Sequence, residues 1–122
     1  NDAGDLIIER VVAAIDCGLA VHPNAVEAQL EGGTIDGLST ALGLEITVRD
    51  GQVQQSNFDG YPLARLSMVP AQFETHILPW DDVPTGVGEM GLPSAAPALT
   101  NAIFAATGRR IRNLPIGDQL KG

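Results

Sequence analysis

Aliphatic side chains fill residues 6–15, interrupted only by the charges of Glu9 and Arg10. A β-branched run of this kind predicts a mostly buried strand of about ten residues. Asp16-Cys17-Gly18 breaks it. Beyond His22-Pro23 the period changes: Val26, Leu30, Leu38 and Leu42 recur at multiples of four, predicting a helix over residues 25–41. Asn24, three residues ahead of Glu27, reads as the start of a capping box. Alternation then returns, with Leu44, Ile46 and Val48 set against Glu45, Thr47 and Arg49, as in a half-exposed strand.

Asp50-Gly51 signals a type I′ hairpin turn, whose two central residues both need positive φ. The return strand is predicted over residues 52–58 and ends at Asp59-Gly60-Tyr61-Pro62. Residues 72–78 follow Pro70 as a further short strand, with Phe73, Thr75 and Ile77 on one face. Residues 79–93 form a loop rich in proline and glycine. A second helix is predicted over residues 95–107, with Leu99, Ile103 and Ala106 as its apolar stripe and Gly108 as its C′ residue. Residues 109–115 read as a basic, then polar tail. Strands and helices mix without regular βαβ alternation. The fold class is therefore α+β, a mixed β-sheet with two main helices in a single domain over residues 1–122.

Gly32, Gly33 and Gly37 lie inside the first helix, each costing roughly 1 kcal/mol relative to alanine. Either a neighbouring backbone packs closely there or a ligand approaches. Packing is the favoured reading, because so glycine-rich a helix needs tight neighbours. Aromatic residues are only 4% of the chain, so the core must be aliphatic and alanine-rich, which suits close packing.

Fifteen acidic residues against seven basic ones give a net charge of -8. Such a surface repels phosphate backbones and argues against nucleic-acid binding. No polybasic run is available for anionic lipid, no signal peptide is visible, and no apolar stretch is long enough for a transmembrane segment. Cys17 stands alone, which excludes an internal disulfide framework, and with two histidines it makes no convincing zinc site. No metal ligand is expected from the side chains. A lone cysteine is compatible with cytosol and periplasm alike. Asn1-Asp2-Ala3-Gly4 leads at once into the first strand-like run, and this abrupt start is expected of a piece of a longer chain.

Gly86-Val87-Gly88-Glu89-Met90-Gly91 matches the letters G-x-G-x-x-G. Its context is wrong for a dinucleotide, since Trp80-Asp81-Asp82-Val83-Pro84-Thr85 precedes it in place of a buried strand. A carboxylate in the loop would also repel a pyrophosphate. What remains is one glutamate on a glycine loop. Glu89 can be a general base where its surroundings raise its pKa, or a solvated turn residue. Gln29 offers a donor and an acceptor to a polar ligand edge, or is an ordinary surface residue of the helix. Asp16 and His22 read as turn or cap residues, Cys17 as a small buried hydrophobe and His76 as a plain strand residue. Tyr61 and Trp80 suit packing or an interface edge. No serine–histidine–acid, cysteine–histidine or paired-carboxylate arrangement stands out.

Taken in order, Asp16-Cys17-Gly18, His22-Pro23, Gln29-Leu30-Glu31-Gly32-Gly33 and Gly37-Leu38-Ser39 resemble the C-terminal cofactor-binding region of the xanthine dehydrogenase and aldehyde oxidase family. Gly86-Val87-Gly88-Glu89, Ala96-Pro97-Ala98, Asn101-Ala102-Ile103, Ala106-Thr107-Gly108 and Leu114-Pro115 continue the likeness to residue 115. Single pieces are weak, but the ordered set is specific. Glu31-Gly32-Gly33, the run over residues 37–42 and Asn57-Phe58-Asp59-Gly60-Tyr61 resemble one subgroup, the beta subunits of isoquinoline 1-oxidoreductases and related membrane-side aldehyde dehydrogenases.

The resemblance implies a fold of the molybdenum cofactor-binding domain type. It implies molybdenum held by molybdopterin, in the cytosine dinucleotide form, and not by a protein side chain. Glu89 would take a proton from a water-derived oxygen that attacks an electron-poor carbon of an N-heterocycle or aldehyde. Gln29 and Gly88 would meet the cofactor. Electrons would leave through iron–sulfur clusters on a partner subunit. The rest of the molybdenum-binding subunit would supply the other cofactor loops and the substrate contacts, so the chain alone is expected to be inactive. The competing expectation is a non-catalytic acidic binding or assembly module that keeps the fold.

Overall fold

The computed structural model of the chain describes residues 5–121. Elements run in the order β1 (Arg10–Ile15), α1 (Pro23–Gly43), β2 (Val48–Arg49), β3 (Gln52–Val53), a short 3-10 turn (Leu66–Met68), β4 (Gln72–Ile77) and α2 (Leu92–Thr107). Strands β1 and β4 pair in parallel, from Arg10 opposite Gln72 to Ile15 opposite Ile77. β2 and β3 form a separate antiparallel pair. The architecture is α+β with two main helices, as expected; parallel and antiparallel pairing occur in two small sheets. Helix α1 packs against both β1 and β4 on one side and α2 on the other.

Strand β1 is shorter and less buried than the aliphatic run predicted. Val11, Ala13 and Ile15 turn inward, while Arg10, Val12 and Ala14 are exposed. Helix α1 covers one face of the β1–β4 pair, so alternate residues are left in solvent. On that open face the Arg10 guanidinium forks onto Glu74, Nε at 2.7 Å and Nη2 at 2.9 Å from its two oxygens. The hydrogen bond holds the Glu74 carboxyl below the usual carboxylate range.

Helix α1 starts earlier than the proposed capping box. Pro23 occupies the first turn, where its fixed φ fits and its missing N–H costs nothing. Nδ1 of His22 accepts the Ala25 N–H at 3.1 Å and caps the helix. Asn24 is already inside the first turn, so the Asn24–Glu27 box does not form. At its far end α1 is closed by the tail: the Ile116 N–H donates to the Ala41 carbonyl at 2.8 Å, and the Gly117 N–H to that of Leu42 at 3.0 Å. Terminal carbonyls that a helix cannot satisfy internally are met this way.

The hairpin turn forms as predicted, with φ of 51° at Asp50 and 77° at Gly51. Its strands are cut to two residues each, well short of the predicted 52–58 return. Val48 and Val53 lie exposed, so no core pulls the ladder outward. Instead the Gln55 side chain clamps Thr47, accepting its N–H at 2.8 Å.

Two apolar clusters hold the fold. One joins Leu38 and Ala41 of α1 to Ala95, Leu99 and Ile103 of α2, and to Ile111 and Ile116 of the tail. The other gathers Ile15, Cys17, Val26 and Leu30, with Val87 packed against it. Each buried leucine or isoleucine contributes roughly 1.5–3 kcal/mol. Cys17 is the small buried hydrophobe expected of it.

Candidate functional site

The glycine loop is anchored at both ends. Upstream, the Leu19 N–H donates to the Asp82 carbonyl and the Thr85 N–H to the Cys17 carbonyl, both at 2.9 Å. This approach needs Gly18, whose φ is 66° and whose Cβ, if present, would collide with the Val83 carbonyl. Asp16 Oδ1 accepts the Gly18 N–H at 3.1 Å, the turn role anticipated for it. Val87 then drops against the Ile15–Leu30 cluster. Downstream, Gly91 is buried against α1, so close that a Cβ there would stand 2.5 Å from the Leu30 carbonyl oxygen.

Between these anchors Gly88 and Glu89 are exposed. The Glu89 carbonyl accepts the Leu92 N–H at 3.2 Å, so the glutamate sits in the turn that opens α2. Helix α2 begins at Leu92 rather than Ala95, because Pro93 is tolerated in a first turn.

One stripe of α1 seats this loop. Gln29, Gly33 and Gly37 follow at helical spacing of four, so they share a face. Gln29 Nε2 lies 3.7 Å from where a Cβ of Gly88 would stand. Gly33 meets Gly91 and Leu92, and a Cβ on Gly37 would come within 2.6 Å of the Leu92 carbonyl oxygen. Two of the three helix glycines therefore serve close packing, as favoured. Gly32 meets nothing within 4 Å.

The structure thus brings Gln29 and Gly88 together, one residue from Glu89. The Gln29 amide makes no hydrogen bond among the described residues. With Gly88 lacking a side chain, the space before the amide stays open, and its donor and acceptor are both free for a polar cofactor edge. These residues suit a pterin-like group. Met90, next to Glu89, lines a recess of ≈ 340 Å³ with Leu30, Thr34 and Ser94. Larger grooves of ≈ 450 and ≈ 680 Å³ lie at residues 5–10 and carry none of the candidate residues. Three other residues considered lie apart from Gly88 and Glu89: His22 caps α1, His76 is an exposed β4 residue, and Trp80 is exposed near the start of the 79–93 segment. Among the described residues no cluster of three or more His, Cys, Asp or Glu side chains could hold a metal ion.

Sequence reasoning missed Thr34, a buried polar side chain whose hydroxyl donates to the Gly91 carbonyl at 3.4 Å. A threonine within a helix carries no signal of such a partner. It also missed the Cys17–Thr85 and Leu19–Asp82 anchors, which join backbone to backbone.

Residues 1–70 match the family described as molybdopterin cofactor-binding domain. The chain is 42% identical over 94% of its length to the beta subunit of isoquinoline 1-oxidoreductase from Brevundimonas diminuta, spanning 15% of that protein. It is 35% identical over 93% of its length to a nicotinate dehydrogenase subunit of Pseudomonas putida, spanning 10% of it. The fold superposes on the aldehyde oxidoreductase of Desulfovibrio desulfuricans with a TM-score of 0.82 and 28% identity, over 97% of this chain and 13% of that one. The chain belongs to the molybdopterin cofactor-binding domain family.

Proposed function

We propose that this chain is the C-terminal part of a larger molybdopterin-binding subunit and that Glu89 is the general base of its hydroxylation reaction. The observation that carries the reading is the meeting of Gln29 with Gly88, beside a glutamate fixed in the turn that opens α2. Molybdopterin, when bound, supplies a molybdenum centre that activates a water-derived oxygen and accepts electrons. Gln29 would hold a polar edge of that cofactor with its free amide, and Gly88 would let the backbone pass close to it. Glu89 would accept the proton released as oxygen attacks an electron-poor carbon. The anchors at Cys17–Leu19 and Gly91 tie both flanks of the glycine loop to the body of the fold, which would keep the Glu89 backbone on the side of α1 that carries Gln29.

The substrate class under this reading is an N-heteroaromatic or an aldehyde. Two relatives are named for isoquinoline and nicotinate, and a third for aldehyde, which supports both. Iron–sulfur clusters on a partner subunit would carry the electrons away, and the cofactor would be the cytosine dinucleotide form. The chain spans 15% and 10% of the lengths of the isoquinoline and nicotinate relatives, which supports further chain around the site.

The test uses the whole subunit with its iron–sulfur partner. Glu89→Gln should keep wild-type molybdenum content and lose dye reduction by about 10²–10⁴-fold. Gln29→Leu should instead lower molybdopterin content. A Glu89→Gln enzyme that turns over normally would return this residue to the role of a loop carboxylate, and with it the non-catalytic module reading.

A further inference from the structure

We propose that Thr34 is a positioning residue: its hydroxyl, by holding Gly91, sets where Glu89 stands relative to Gln29. The proposal rests on the reading of Glu89 as base and adds a residue to that site.

Among the described residues only two polar side chains are buried, Thr34 at 6% exposure and Ser39 at 5%. Ser39 accepts the Ala64 N–H at 2.8 Å, far along the chain from the glycine loop. Thr34 donates to the Gly91 carbonyl at 3.4 Å and is the one side-chain hydrogen bond from α1 to the end of that loop among the described residues. Gly91 lies two residues after Glu89, and the next N–H, that of Leu92, donates to the Glu89 carbonyl. The hydroxyl therefore grips the same turn that presents the carboxylate.

Gln29 and Thr34 share α1, so the distance from Gln29 to Glu89 is set by how Gly91 seats on that helix. The fit is close: a Cβ on Gly91 would stand 2.7 Å from Thr34 N and 2.8 Å from Thr34 Oγ1. On the other side of Glu89 the constraint is looser. Val87 is held by apolar contact, and none of residues 86–88 donates a backbone hydrogen bond among those described. Three glycines over residues 86–91 give this segment many conformations to choose from. At the downstream end two hydroxyls share the Gly91 carbonyl, that of Ser94 at 3.3 Å from within α2 itself and that of Thr34 at 3.4 Å, and only the Thr34 hydroxyl ties it to α1.

Thr34→Val keeps the shape and deletes the donor, whereas Thr34→Ser keeps the donor and deletes a methyl. Both variants, with Glu89→Gln alongside, are made in the whole subunit with its iron–sulfur partner. Three quantities are read: molybdenum content, kcat and KM for an N-heteroaromatic such as isoquinoline, and amide hydrogen exchange over residues 87–92.

In Thr34→Val, kcat should fall about tenfold with KM and molybdenum content unchanged, as a misplaced catalytic group loses rate before affinity. Exchange over residues 87–92 should quicken by a similar factor. Thr34→Ser should restore both. If valine and serine variants exchange and turn over alike, the hydroxyl does not position the loop and the proposal fails. If Glu89→Gln is fully active, the base reading fails by itself, and the exchange comparison of valine with serine still decides whether Thr34 fixes the loop.

Discussion

The closest packing between the helices can be tested by adding a single methyl group at Gly37. In Gly37→Ala the new Cβ would lie 2.6 Å from the Leu92 carbonyl oxygen, 2.7 Å from Ala95 Cβ and 3.3 Å from the Leu92 carbonyl carbon. Comfortable contact needs roughly 3.5 Å, so the start of α2 must retreat by about 1 Å. Overpacking of this kind costs about 1–3 kcal/mol. Alanine's better helix propensity offsets roughly 1 kcal/mol of that, leaving a net loss of up to about 2 kcal/mol.

Gly32 is the control, because it sits in the same helix with nothing within 4 Å of a new Cβ. Gly32→Ala keeps the propensity gain alone and should stabilise by about 0.5–1 kcal/mol. The assay is thermal unfolding followed by circular dichroism, where about 1 kcal/mol moves the midpoint of a chain this size by roughly 3–5 °C. Opposite shifts for the two variants are expected. If both raise the midpoint, the α1–α2 contact is not tight and the seating of the glycine loop on α1 is wrong.

Other consequences can be checked together. Ile116→Ala should cost about 2–5 kcal/mol in urea unfolding, because this buried tail residue completes the α1–α2 cluster; a loss below about 1 kcal/mol would detach the tail from the core. The Arg10–Glu74 fork predicts a pH dependence of definite sign. Glu74 titrates lower folded than unfolded, so its contribution is present above the ordinary carboxylate range and lost as pH falls through the lowered value. The midpoint gap between wild type and Glu74→Gln should therefore close on acidification at low salt, and a gap that widens toward acid would contradict the pairing.

Local signals carried far along this chain. The fourfold spacing of Val26, Leu30 and Leu38 gave α1 its buried face, and Asp50-Gly51 and Gly108 took the positive φ expected of them. Where covering from elsewhere decides, the pattern misled. Val12 is as aliphatic as Val11, yet it faces solvent because among the described residues no layer lies on the outer side of β1. Two start signals competed at α1, and Pro23 with the His22 imidazole prevailed over Asn24 with Glu27. At the site, Glu89 stood out in the sequence because it interrupts a glycine loop. The meeting of Gly88 with Gln29 did not, being fixed by how the glycine face of α1 receives Gly91 and Leu92.

The most direct test of the base reading is the reductive half-reaction. Whole enzyme carrying Glu89→Gln would be mixed anaerobically with isoquinoline, and the bleaching of its iron–sulfur absorption timed against wild type at equal molybdenum content. The account predicts a rate lower by about 10²–10⁴-fold, as loss of a general base entails. Equal rates would mean that the proton is taken elsewhere, and that Glu89 is no part of the chemistry.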